Sequence, residues 1–139
     1  MYATRYLPFV GRLMIGLPFA VSGLSKLSAY SATTGMISAV GLPFPQLAFA
    51  AAVATELGGG LLLIVGYRAR YVAAALAAFS LATATSFHNN FADQNEMIHF
   101  LKNVMIAGGL LQIVAFGAGA FSIDNRRNSD GLGSRAMNA

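Results

Sequence analysis

The chain has 139 residues, of which 56% are hydrophobic and only 10% charged, with a mean hydropathy of +0.61. An ordinary soluble domain is roughly 25% charged, so this composition excludes a water-exposed globule and places the chain in a membrane. Nine basic residues outnumber five acids, but they are scattered around apolar segments and form no patch, which excludes a nucleic-acid surface.

Four apolar segments follow one another, each close to the roughly 17–25 residues that cross a bilayer as a helix. The first covers 6–27. Arg5 precedes it, but Arg12 interrupts it, so it is expected to be a retained span rather than a cleaved signal. The uncharged stretch "SAYSATTG" separates it from the second, 44–65, which contains Glu56. "GYRARY" divides the second from the third, 71–87, and "HNNFADQNE" the third from the fourth, 97–116. The expected fold is therefore all-α, a four-helix transmembrane bundle over 1–122. The polar segment 123–139 is expected to be a flexible cytoplasmic tail. Arg5, Arg68, Arg70, Arg126, Arg127 and Arg135 all fall on one side of such a bundle. By the distribution of Lys and Arg that side is cytoplasmic, and both termini lie there.

Cysteine is absent, so disulfides, thiol redox chemistry and Cys-ligated metals are excluded from the chain. Small residues are dense in "ELGGG", "AAALAA" and "AGG", where they suit close helix packing or an interface with other chains.

The informative residues are the few charges at membrane depth, because such groups are costly and mark internal pairs or function. Arg12, Gly16, Phe19, Gly23 and Lys26 follow a 4-3-4-3 spacing and form one stripe, with the glycines clearing space. Glu56 lies near the midplane and must be protonated or paired. Arg12 is within roughly 6 Å of it in depth by rise per residue, which makes a Glu56–Arg12 bridge the first structural reading. The functional reading is a polar cavity in the outer half, walled by Lys26, Glu56, His88, His99, Lys102 and Asn103. His99, Lys102 and Asn103 stand at i, i+3 and i+4. Glu96 and His99 show the i, i+3 spacing of di-metal carboxylate bundles, but only once, and no metal site is expected. A metal or bis-histidine haem at His88 and His99 is the lesser alternative, the histidines being expected as interfacial hydrogen-bonding groups.

These residues resemble the DoxX family of small bacterial membrane proteins. "GRLMIGLPFAVSGLSKL" at 11–27 resembles its opening helix, and "ELGGGLLLIVGYRAR" at 56–70 its second-helix Glu, Gly-rich run and basic turn. "FHNNF", "FLKNVMIAGGLL" and "FSID" resemble its later signatures. The resemblance implies a four-helix bundle in the inner membrane and a link to membrane redox chemistry, such as quinone-reducing thiosulfate oxidation. It carries over Arg12, Lys26, Glu56, His88, Lys102 and Asn103 as the family's polar positions; His99 is added from this sequence alone. The family's quinone-reducing enzyme has a second subunit.

Two classes of function follow. In one, the chain is a subunit of a quinone-linked oxidoreductase, with lysines holding ligand oxygens and Glu56 or His88 exchanging protons. No covalently bound cofactor is expected, and a quinone is the candidate ligand. In the other, it is a non-catalytic scaffold or assembly partner. A permease is a third option and would need oligomers. The partners expected are the lipid bilayer and other membrane chains or further copies of this one.

Overall fold

A computed structural model describes residues 3–127 and 129 and shows helices and turns with no strand among them. Helix α1 spans Ala3–Ser28 and α2 spans Tyr30–Ala39. Helix α3 runs over Pro45–Val65 and changes to π-helical winding at Ala54–Gly58. Helix α4 covers Ala69–Phe87 and α5 covers Gln94–Phe116. Three of these, α1, α3 and α5, are long and apolar enough to cross a membrane. The 19 residues of α4 include Arg70 and several Ser and Thr, which lower its apolar character.

Each apolar segment becomes one long helix, with ends close to those expected. The exception is 28–43, where the sequence suggests only a break; ten of its residues wind into α2. This helix follows α1 almost directly and packs on α3, where Tyr30 meets Phe49 edge-on with ring centroids 4.8 Å apart. Lacking both charges and a clear apolar stripe, this stretch gives no periodic signal.

The long helices pack in sequence, α1 on α3, α3 on α4 and α4 on α5. The α1–α3 contact is made by backbone. A Cβ on Gly16 would come within 2.7 Å of the Gly60 carbonyl oxygen, and one on Gly23 within 2.6 Å of the Leu57 nitrogen. In lipid, where apolar burial drives nothing, such close approach is what holds helices together. The core of Leu63, Ala73, Leu76, Ala77, Ala107 and Leu110 joins α3, α4 and α5.

Ends are capped in three ways. Asp93 accepts from the Asn95 and Glu96 amides at the start of α5, at 2.8 and 3.3 Å. Asn89 donates to the Thr85 carbonyl at the end of α4, at 3.1 Å. The start of α4 is capped from far away in the chain. Asp124 accepts from the Arg68 and Ala69 amides at 2.7 and 2.8 Å, while its own amide donates to Gly66. The expected loose tail is therefore anchored at its start, and its residues 128 and 130–139 lie outside the described ones. Asp124→Ala leaves two amides of α4 without their acceptor and is expected to cost about 1 kcal/mol, as lost caps do. Asp124→Asn, which keeps an acceptor oxygen, should lose less; thermal unfolding in nanodiscs compares the two.

Candidate functional site

Glu56 sits inside the π-helical turn, and such turns often mark functional positions because they re-aim a side chain without ending the helix. It is 6% exposed. The glycine-mediated approach of α1 brings two polar side chains to it. Lys26 Nζ lies 2.7 Å from Glu56 Oε2, Ser22 donates to Oε1 at 3.3 Å, and Lys26 donates to the Ser22 oxygen at 3.0 Å. Oε2 makes no well-angled hydrogen bond, so its contact with Lys26 is a charge contact.

Glu56 thus pairs with Lys26 and not with Arg12, which corrects the first expectation from the sequence. Depth along the helices was right for Arg12, but the matching group at its depth is the end of α3. Arg12, 1% exposed, donates to the Leu63 and Ile64 carbonyls at 2.9 and 2.8 Å and to the Phe121 carbonyl. The last turn of a helix has carbonyls with no amide partner. Here one guanidinium serves Ile64, adds a second donor to Leu63, whose carbonyl also accepts from the Gly66 amide at 3.2 Å, and ties in the segment after α5. Gly66, at φ +70°, leaves room for it; a Cβ there would collide with Arg12 and Ser122. Arg12 is a fastener of the inner half and is not part of the polar cluster.

Lys26 and Glu56 line a cavity of about 600 Å³. Its roof is α2, through Thr33, Met36 and Ile37, and its walls are the first half of α3 and the end of α4. Most of the lining is apolar, with Thr55, Thr83 and Ser86 adding hydroxyls and His88 completing the rim. His88 Nδ1 lies 2.9 Å from Glu96 Oε2, so against an ionised carboxylate Nδ1 carries the proton. The His99 ring stacks on His88 with centroids 4.9 Å apart. No group of three or more His, Cys, Asp or Glu among the described residues is arranged to hold a metal.

Asn103 and Lys102 part company. Asn103 donates to the His99 carbonyl at 3.0 Å and lines a second, smaller cavity that Glu56 also reaches. Lys102 is exposed on the outside of α5, contrary to the interior position expected. The reason is angular. At 100° per residue, Asn103 lies about 40° to one side of His99 and Lys102 about 60° to the other. With Asn103 turned inward, Lys102 faces outward.

The sequence reading missed Ser22, which bridges Lys26 and Glu56. It stands four residues before Lys26, on the same helical face, and that spacing could have found it.

The DoxX family model matches residues 7–89. The chain is 36% identical to the inner membrane protein YqjF of Escherichia coli K12, over 86% of this chain and 90% of that one. It is 32% identical to the inner membrane protein YphA of the same organism, over 89% and 92%. No solved structure matches it significantly.

Proposed function

This chain belongs to the DoxX family of bacterial inner-membrane proteins, and from that premise we propose that it is a ligand-binding subunit of a quinone-linked membrane redox system. The observation that carries the reading is the Ser22–Lys26–Glu56 cluster on the wall of an otherwise apolar cavity of about 600 Å³. Small-molecule sites are concave, mostly apolar and about 300–1,000 Å³, with a few convergent polar groups that orient the ligand. A quinone is a flat apolar ring with two carbonyl oxygens. Lys26 donates to one oxygen, and His88, whose Nδ1 is held by Glu96, donates to the other from Nε2 only as the imidazolium, its neutral form being an acceptor there. Reduction of a quinone takes up two protons with two electrons. Glu56 and His88 are the groups placed to pass protons, and the electrons come from a second subunit or the substrate.

In this reading α4 also crosses the membrane, bringing the spans to four, and both termini are cytoplasmic. The arginines gather at one end in support. Arg5 lies over Phe121, and Arg68 and Arg127 lie over Tyr67, with cation-to-ring distances of 5.6, 5.9 and 5.7 Å. Lys26 and His88 stand at the opposite ends of their helices. Single cysteines placed by Asn90→Cys and Arg127→Cys test the topology in intact cells with an impermeant maleimide. Only the first should label; labelling of the second alone reverses the orientation.

Duroquinone tests the site. Added to the wild-type protein in nanodiscs, it is expected to raise the unfolding temperature, by linkage about 2.7 kcal/mol at a hundredfold excess over Kd. Lys26→Met should abolish the rise. An equal rise in the variant, or none in the wild type, defeats the reading. The scaffold alternative is favoured by Ala74, Ala75 and Ala78, small residues of α4 that stay exposed rather than packed. It predicts no quinone response and co-purification with other membrane chains.

A further inference from the structure

A second cavity of about 340 Å³ lies between α1 and α5, two helices that pack on α3 and α4 rather than along each other. Met14, Pro18 and Phe19 wall it on one side and Ile106 on the other; Ser22, Glu56 and Asn103 add its polar groups. Met14 and Ile106 are exposed, so the mouth of this cleft faces acyl chains. Pro18, on the cleft wall, has no amide hydrogen to give the Met14 carbonyl.

Glu56 borders both cavities. Ser22 borders only the cleft, and Lys26 only the larger cavity. The cluster, in which Lys26 donates to Ser22, Ser22 donates to Glu56 and Lys26 pairs by charge with Glu56, is therefore the partition between them, with one polar partner on each side. A carboxylate at a lipid-facing cleft is costly, and its one cation lies on the far side. A polar group arriving through the cleft would find the second amide hydrogen of Asn103 open to it, the Ser22–Glu56 pair beside it, and apolar walls ready for its tail.

We infer that this cleft is a lateral door from the bilayer, through which a prenyl-tailed ligand with an oxygenated head reaches the Glu56 partition. The tail lies along Met14, Pro18, Phe19 and Ile106, and the head meets Ser22 and Asn103. This rests on the quinone-type reading of the larger cavity, and it adds how the ligand gets in. Water-soluble molecules have no part in such a route.

The test uses a prenyl-tailed quinone carrying a diazirine in its tail, reconstituted with the protein in nanodiscs, cross-linked by light and mapped by mass spectrometry. Label should concentrate on 14–22 and 103–106 and be lost in Ile106→Trp, which fills the cleft without touching Ser22, Lys26 or Glu56. The same variant should keep its thermal response to duroquinone, a sign that it is folded and its larger cavity intact. Ile106→Phe, a smaller change, should weaken the label if the larger residue is not tolerated. Label spread evenly over outward positions such as Leu81 and Leu101, or unchanged in both variants, overturns the inference. So does equal labelling of the cleft by a diazirine-tailed phosphatidylcholine, which would make an ordinary acyl chain the occupant. Tail label in the cleft with no duroquinone response in the wild type defeats the reading of the larger cavity while leaving the door standing.

Discussion

Arg12→Met is expected to be the most damaging single substitution in this protein. The wild-type guanidinium serves the Leu63, Ile64 and Phe121 carbonyls together. Bonds to a charged donor contribute about 1.5–3 kcal/mol each, and stranded acceptors add their own penalty. In a bilayer no water replaces the donor. The loss should reach about 3–5 kcal/mol, the range seen when a buried charged network is broken, and lower the unfolding temperature by on the order of 10 °C. Arg12→Lys should recover only part of it, because an ammonium cannot span three carbonyls as a planar fork does. Glu56→Leu should leave the Arg12 fastener intact. A variant at Glu56 that loosens the α3 end, seen as faster hydrogen exchange at Tyr67 and Arg68, would contradict the separation of these two charges.

Lys26→Met and Glu56→Leu should be unequal, and the double variant milder than the worse single one. Removing one partner of a buried pair typically costs about 3–5 kcal/mol, because the other charge is left uncompensated. The two survivors differ in their escape. Lys26 has a long stem, a side chain 26% exposed and a place near the end of α1, so alone it can reach the surface. Glu56 has a side chain 8% exposed at mid-helix and can only take up a proton. Lys26→Met is therefore expected to cost more than Glu56→Leu, with Lys26→Met/Glu56→Leu close to wild type in stability and without a duroquinone response. A double-mutant cycle on unfolding free energies reads this directly. Equal single costs that simply add would show that the pair is not coupled.

How far the sequence could be read depends on which physical signal each feature leaves. The long helices are legible because a bilayer demands unbroken apolar runs, and the breaks at Gly66–Arg70 and around Asn89 are sharp. The narrow stripe from Arg12 to Lys26 is legible because α1 presents its glycines to α3 at a fixed helical spacing. Partner choice was not legible. Arg12 and Glu56 look suited by depth, but a main-chain carbonyl leaves no trace in residue identity, and Arg12 found three of them. Its signal lay in Gly66, which follows a Leu-rich run and precedes two arginines as a helix-ending residue does. Lys102 was misplaced because i, i+3 and i+4 neighbours share a face without sharing an inward direction. Asp124 was misread as tail because capping across 55 positions is a tertiary event.

The π-helical turn of α3 has a consequence for insertions and deletions. One surplus residue in Ala54–Gly58 is taken up by the wide turn, so the helix on either side keeps its facing. Upstream of it, Ala48, Ala51 and Ala52 present to the larger cavity; downstream, Gly60 and Leu63 present to α1 and the core. Removing one residue from this turn would let it close to regular α-helix with both halves still facing as they do, whereas the same deletion in a regular stretch would wheel one half round by about 100°. What the deletion would change is the aim of Glu56, while the cavity wall and the inner clamp stayed in place. A single-codon deletion is thus absorbed at this point of α3 where it would scramble the packing elsewhere.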